Sequence, residues 1–294
     1  MRNLLKSSIL KVAHSAGYEL KISRITKSQQ QNRIAFIHLA KCGGISIDNA
    51  MRSQFAQSGE RKIIRSPLIA TSLYKFERSI SNLTDACDFS ELHIDTLQDA
   101  LLYHLNQDWN YVSGHLAVNS KLLKHYSKKY DFITVLRNPK ARFKSNYIFN
   151  KMTNHLSAMP PYANSMQDVI NEANEIVFGR RGWQMANMQT SYITGYFPKD
   201  EHDAASQQIL FRENIDQFKV VGILEELYKF KQACLEQYNV KLDIKKRNQT
   251  DSNLTKEQSS IKMRLEDYFS SSKVENKLDS LCQFEMENYN YVKE

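Results

Sequence analysis

No two of the four cysteines, Cys42, Cys87, Cys234 and Cys282, form a C-x-x-C pair. This excludes the usual structural zinc spacing, and the wide separation reads as reduced thiols rather than a disulfide framework. No stretch has the length or purity of a membrane span. Residues 1–17 are basic and partly apolar, but Lys6, Lys11 and His14 interrupt them. The same interruptions exclude a secretory core. No compact run of Lys and Arg interleaves with aromatics; Lys245-Lys246-Arg247 is short, so nucleic-acid binding has no carrier. There is no internal repeat and no long low-complexity tract.

What is present suits one large domain. The 294 residues, 41% of them hydrophobic, are enough to bury a sizeable core. The net charge of +8 favours an anionic cofactor, an acidic polymer or a membrane surface. Thr26–Asn32 is polar and glutamine-rich, which divides the chain into a basic helix and linker (1–31) and a main domain (32–294). The N-terminal helix is either a plain surface element or a peripheral contact with a membrane or partner. The expected location is cytoplasmic.

The run Ile34-Ala35-Phe36-Ile37-His38-Leu39 is apolar and then stops at Ala40-Lys41-Cys42-Gly43-Gly44-Ile45-Ser46. This reads as a buried strand, a tight loop and a helix N-terminus, with His38 inside the strand as a packing residue. Such a loop aims backbone N–H groups and the positive helix end at one spot, which suits a phosphate. Gly43 and Gly44 allow close approach, Lys41 adds a charge and Ser46 a hydroxyl. It is not a Walker loop, because the lysine precedes both glycines, and no apolar run ends in an obvious magnesium-holding aspartate. A bland surface loop would also fit.

Further along, Tyr111-Val112-Ser113 forms a short strand ending at Gly114-His115, and 118–130 is helix-like. Phe132-Ile133-Thr134-Val135-Leu136 is a β-branched strand. Asn138 then caps a helix with Pro139 at its first position, running to about Lys151. Helices are expected around 166–177 and 184–193, a strand at 218–223, a helix after it, and helix again from Ser259. Residues 57–105 show only a leucine pattern near Leu105. Strands alternating with helices predict an α/β fold: a P-loop-like, three-layer arrangement with a central parallel sheet. Arg137, at the end of its strand, and Ser145, two turns into the helix and sharing a face with Arg142, would then meet Lys41 at one sheet edge.

These residues carry a resemblance. Ile34–Ile47 resembles the 5′-phosphosulfate loop of the carbohydrate sulfotransferases, roughly H-I-P-K-T-G-G-T-S. Thr134–Tyr147 (TVLRNPKARFKSNY) is similar to their 3′-phosphate motif, roughly T-V-L-R-D-P-x-x-R-x-x-S-x-Y. Val112–His115 resembles the Gly-His strand of the heparan sulfate 2-O- and uronyl 2-O-sulfotransferase branch. Asn187–Gly195 and Val220–Glu226 resemble segments of bacterial relatives. The resemblance implies transfer of a sulfuryl group from 3′-phosphoadenosine 5′-phosphosulfate to a hydroxyl of a glycan or glycolipid, without a metal. It implies that Lys41, Cys42, Gly43, Gly44, Ile45 and Ser46 hold the 5′ end and Arg137 and Ser145 the 3′-phosphate. It further implies His115 as general base, with Lys41 stabilising the leaving group and Arg247 contacting the nucleotide from a polar loop. Ala40, Cys42, Ile45, Asn138 and Ser191 depart from the family pattern. Two other classes stay open: a P-loop-like kinase or NTPase, and a non-catalytic protein binding an acidic glycan.

Overall fold

The computed structural model describes residues 2–18, 33–153, 155, 166–245 and 254–294, without the side chains of residues 2–7 and 166. Four strands, β1 (Ile34–Ile37), β2 (Tyr111–Gly114), β3 (Asp131–Leu136) and β4 (Val220–Ile223), form one parallel sheet in the order β2-β1-β3-β4. Almost every strand residue is buried, as expected for a parallel sheet covered on both faces. The architecture is therefore α/β.

The strand period of two sorts the core into two layers. Ile34 and Phe36 of β1 face one layer with Ile133 and Val135 of β3. There they meet Ile47, Met51 and Phe55 of helix α2 (Gly44–Phe55). Ala35 and Ile37 face the other layer, against Ile94, Leu97 and Leu101. The helices before and after α2 are α1 (Arg2–Ser15), α3 (Arg65–Phe76) and α4 (Leu83–Leu105). α5 (Ser120–Tyr126) and α6 (Pro139–Met152) follow β2 and β3. Next come α7 (Met166–Phe178), α8 (Arg180–Ala186), α9 (Met188–Thr194) and α10 (Glu201–Ile215). After β4 come a 3₁₀ turn (Leu224–Glu226), α11 (Leu227–Tyr238), α12 (Lys256–Phe269), α13 (Ser272–Leu281) and α14 (Gln283–Lys293). Phe143 and Tyr147 of α6, with Val169, Ile176, Leu265 and Leu278, make a third, purely helical core.

Several expectations shift. The 118–130 segment is helical only from Ser120 to Tyr126, where Asn119 accepts a hydrogen bond from the Leu122 N–H at 2.8 Å and caps the start. The 184–193 helix is two short helices joined at Asn187. The unclear 57–105 segment holds α3 and the 23-residue α4. The α6 start matches its reading: the Asn138 side chain accepts from the Ala141 N–H at 3.1 Å, next to Pro139. The 26–32 linker lies outside the described residues. Helix α1 leaves Ile9 and Val12 exposed, and no described helix is long and apolar enough to cross a membrane.

Candidate active site at the carboxyl edge of the sheet

The chain passes from β1 to β2 on one side and then crosses back over β1 to β3 on the other, so a crevice opens at the carboxyl end of β1. This is where open α/β sheets place ligands. A cavity of about 820 Å³ lies there. Lys41, Gly43, Gly44, Ile45 and Ser46 line it from the loop after β1, His115 from β2, Arg137 from β3 and Leu224 from β4. Ser145 and Phe149 of α6 line the same space.

The loop is built from two left-handed residues, Lys41 at φ 66° and Gly43 at φ 73°. Such a φ is uncommon for a residue with a side chain and marks a position held by its surroundings. The Cys42 N–H closes the turn on the Leu39 carbonyl at 3.3 Å. Helix α2 then starts at Gly44 with no side-chain cap. The N–H groups of its first turn, Gly44, Ile45 and Ser46, have no partner within the helix, which leaves them available to an anion in the cavity.

Two basic groups converge on this loop. The Lys41 ammonium stands 4.0 Å from the centre of the Phe149 ring. Burial, and secondarily the Arg137 charge, pull its pKa below the usual lysine range. The Arg137 guanidinium donates from Nη1 to the Lys41 carbonyl at 3.0 Å. Gln189 of α9 fixes Arg137: its Oε1 accepts the Arg137 N–H at 2.8 Å and its Nε2 donates to the Arg137 carbonyl at 3.0 Å. Lys41 and Arg137 thus share one cleft, as their positions after β1 and β3 predicted.

The site has a second side, made of imidazoles. The register Ile37↔Gly114 sets His38 and His115 beside each other on adjacent strand ends. Their rings stack at 4.2 Å between centroids and 29° between planes. His115 Nδ1 lies 2.8 Å from the His38 carbonyl oxygen. That oxygen can only accept, so Nδ1 carries the proton and Nε2 keeps its lone pair. Burial, then the charge of Arg65, pushes the His115 pKa down to about 4, so the ring is neutral at physiological pH. His93 of α4 is pushed down to about 4 by the same two causes, and its Nδ1 is 2.7 Å from Ser72 Oγ. Below the rings, buried Asp48 accepts from Tyr111 Oη at 3.0 Å and Ser113 Oγ at 2.5 Å. Arg65, Phe89, His93 and Ile94 from α3 and α4, with Tyr192 and Phe197, complete the wall.

Three expectations are corrected. Cys42 does not line the cavity: its side chain is buried, with Sγ 3.4 Å from Gln189 Oε1, and burial pushes its thiol up to about 12. Its N–H is also spent on the turn, so it offers an anion nothing. His38 is not inside the strand; β1 stops one residue earlier and the ring enters the cavity. Arg142 and Ser145 sit three residues apart on α6, but only Ser145 reaches the cavity, because Arg142 is wholly buried and bonded to the Met185 carbonyl. Arg247 falls outside the described residues. Sequence reading missed the α3–α4 wall and the roles of His38 and Gln189. The position of His38, next to the loop and at the same strand end as His115, was the available signal.

Among the described residues, no cluster of three or more His, Cys, Asp and Glu side chains is arranged to hold a metal. No protein-family model matches the chain, and no curated protein matches it.

Proposed function

We propose that this chain is a sulfotransferase that moves the sulfuryl group of 3′-phosphoadenosine 5′-phosphosulfate to a hydroxyl of a glycan acceptor. The observation that carries the reading is the meeting of Lys41, Arg137 and His115 in one cavity, from the ends of three different strands. A loop with a free helix N-terminus and a lysine suits the 5′ end of the nucleotide. Arg137 and Ser145 suit the 3′-phosphate, which ordinary adenine nucleotides lack.

In the reaction, the acceptor oxygen attacks sulfur and the bond from sulfur to the 5′-phosphate oxygen breaks. The acceptor proton passes to the bare Nε2 of His115. The charge that develops on the departing phosphate meets Lys41 and the α2 N-terminus, which are already in place before the step. A neutral, tautomer-fixed imidazole is the form that can take a proton. Phe89, Tyr192 and Phe197 make part of the cavity wall apolar and aromatic, as small-molecule sites commonly are.

The test is thermal unfolding in metal-free buffer. 3′-Phosphoadenosine 5′-phosphate is expected to raise the melting temperature, while ATP at the same concentration does little. Ligand at about a hundredfold over its Kd stabilises by about 2.7 kcal/mol, a readily measured shift. Equal stabilisation by both nucleotides, or by neither, would remove the reading.

A further inference from the structure

We propose that the His38 imidazole is a positioning residue that couples the anion loop to the base, and that Gly44 is a glycine in order to make room for that ring. The His38 ring is 5% exposed. It stacks on His115 at 4.2 Å and on Phe36 at 5.9 Å with only 13° between planes. A Cβ built on Gly44 would fall 1.7 Å from His38 Cδ2 and 1.8 Å from Nε2. No real carbon tolerates such a distance. Because two rings already hold the imidazole, it is not a loose side chain that swings away.

The two loop glycines therefore serve different ends. Gly43 has φ +73°, and a Cβ there would meet Leu224 Cδ1, the far end of a flexible side chain, at 2.6 Å. Its backbone conformation is what demands glycine. Gly44 has no positive φ and begins an ordinary helix. Only the missing side chain matters there. The space where a Gly44 side chain would stand is occupied by an imidazole.

The consequence is a rigid stack from α2 through His38 to His115. The His38 carbonyl holds the His115 tautomer, and the His38 ring sets how far the first turn of α2 stands from His115. The base role of His115 rests on the sulfotransferase reading. The steric coupling does not.

A double-mutant cycle tests it, with Gly44→Ala, His38→Ala and the pair. Three measurements are made on each: urea unfolding, affinity for 3′-phosphoadenosine 5′-phosphate, and titration of the His115 ring by NMR. Gly44→Ala alone is expected to lower the unfolding midpoint and weaken nucleotide binding about tenfold or more, and the same change in the His38→Ala background is expected to be nearly neutral. His38→Ala alone should let water reach His115 and move its titration upward from about 4 toward the ordinary value. His38→Phe keeps the ring and should keep nucleotide affinity.

If Gly44→Ala costs the same in both backgrounds, the coupling is overturned and Gly44 serves the anion or the turn. If Gly44→Ala does not fold but the double variant does, the coupling stands. If neither folds, it is overturned. If the wild-type protein binds no nucleotide, the donor reading fails, while the unfolding cycle and the His115 titration still decide the coupling.

Discussion

Acidification is expected to destabilise this protein through the imidazoles of the cavity at the sheet edge. Burial lowers the pKa of three imidazoles that face one cavity: His38 to about 3, and His93 and His115 to about 4. Arg65 holds His93 and His115 down further, and a charge on His115 discourages the charging of His38 and His93. In the unfolded chain each would titrate near 6.5. The folded state therefore binds fewer protons than the unfolded one throughout the window from about 6.5 down to about 4. Stability is complete above that window and falls as pH drops through it. At pH 5.5, about one unit below the unfolded value, each imidazole costs about 1.4 kcal/mol. His93 and His115 are only partly buried, so the three together cost about 3–4 kcal/mol, against the ~5–15 kcal/mol that holds a typical domain. His104, also pushed down by burial, acts in the same direction. Glu285 and Asp95, whose carboxyls burial raises, act in the opposite one. Urea unfolding followed by far-UV circular dichroism at about pH 7.5 and about pH 5.5 measures the difference directly. Equal stability at the two values would refute the reasoning. So would histidine NMR signals that put all three rings at their ordinary titration point.

Two substitutions probe the site more locally. His115→Ala should abolish transfer and leave affinity for 3′-phosphoadenosine 5′-phosphate close to wild type; retained turnover would remove His115 from the base role. Gln189→Leu removes the partner of both the Arg137 N–H and the Arg137 carbonyl, and one of the two acceptors of the Cys42 thiol. It should cost about 2–4 kcal/mol, read as a lower unfolding midpoint, and weaken nucleotide binding as Arg137 loosens. An unchanged midpoint would show that Gln189 is dispensable to the site.

Much of this protein is written locally. The apolar run to Ile37, the glycines after Lys41, and the Asn138 cap with Pro139 are each decided within a few residues by torsional preference and nearby hydrogen bonds. The placement of Lys41 and Arg137 at one edge of the sheet was legible for that reason. Strand order, register and the far wall are of another kind. His38 and His115 are 77 positions apart and become neighbours only because β1 pairs with β2 in a particular register. Gln189 reaches Arg137 across 52 positions, and α3 and α4 carry Arg65 and His93 to a cavity that nothing in their own segments announces. Parallel pairing and helix docking join segments distant in sequence, and burial then sets the charge of every imidazole it encloses. A local pattern carries no record of either, so the neutral His115 imidazole and the crowded Gly44 nearby belong to the tertiary structure alone.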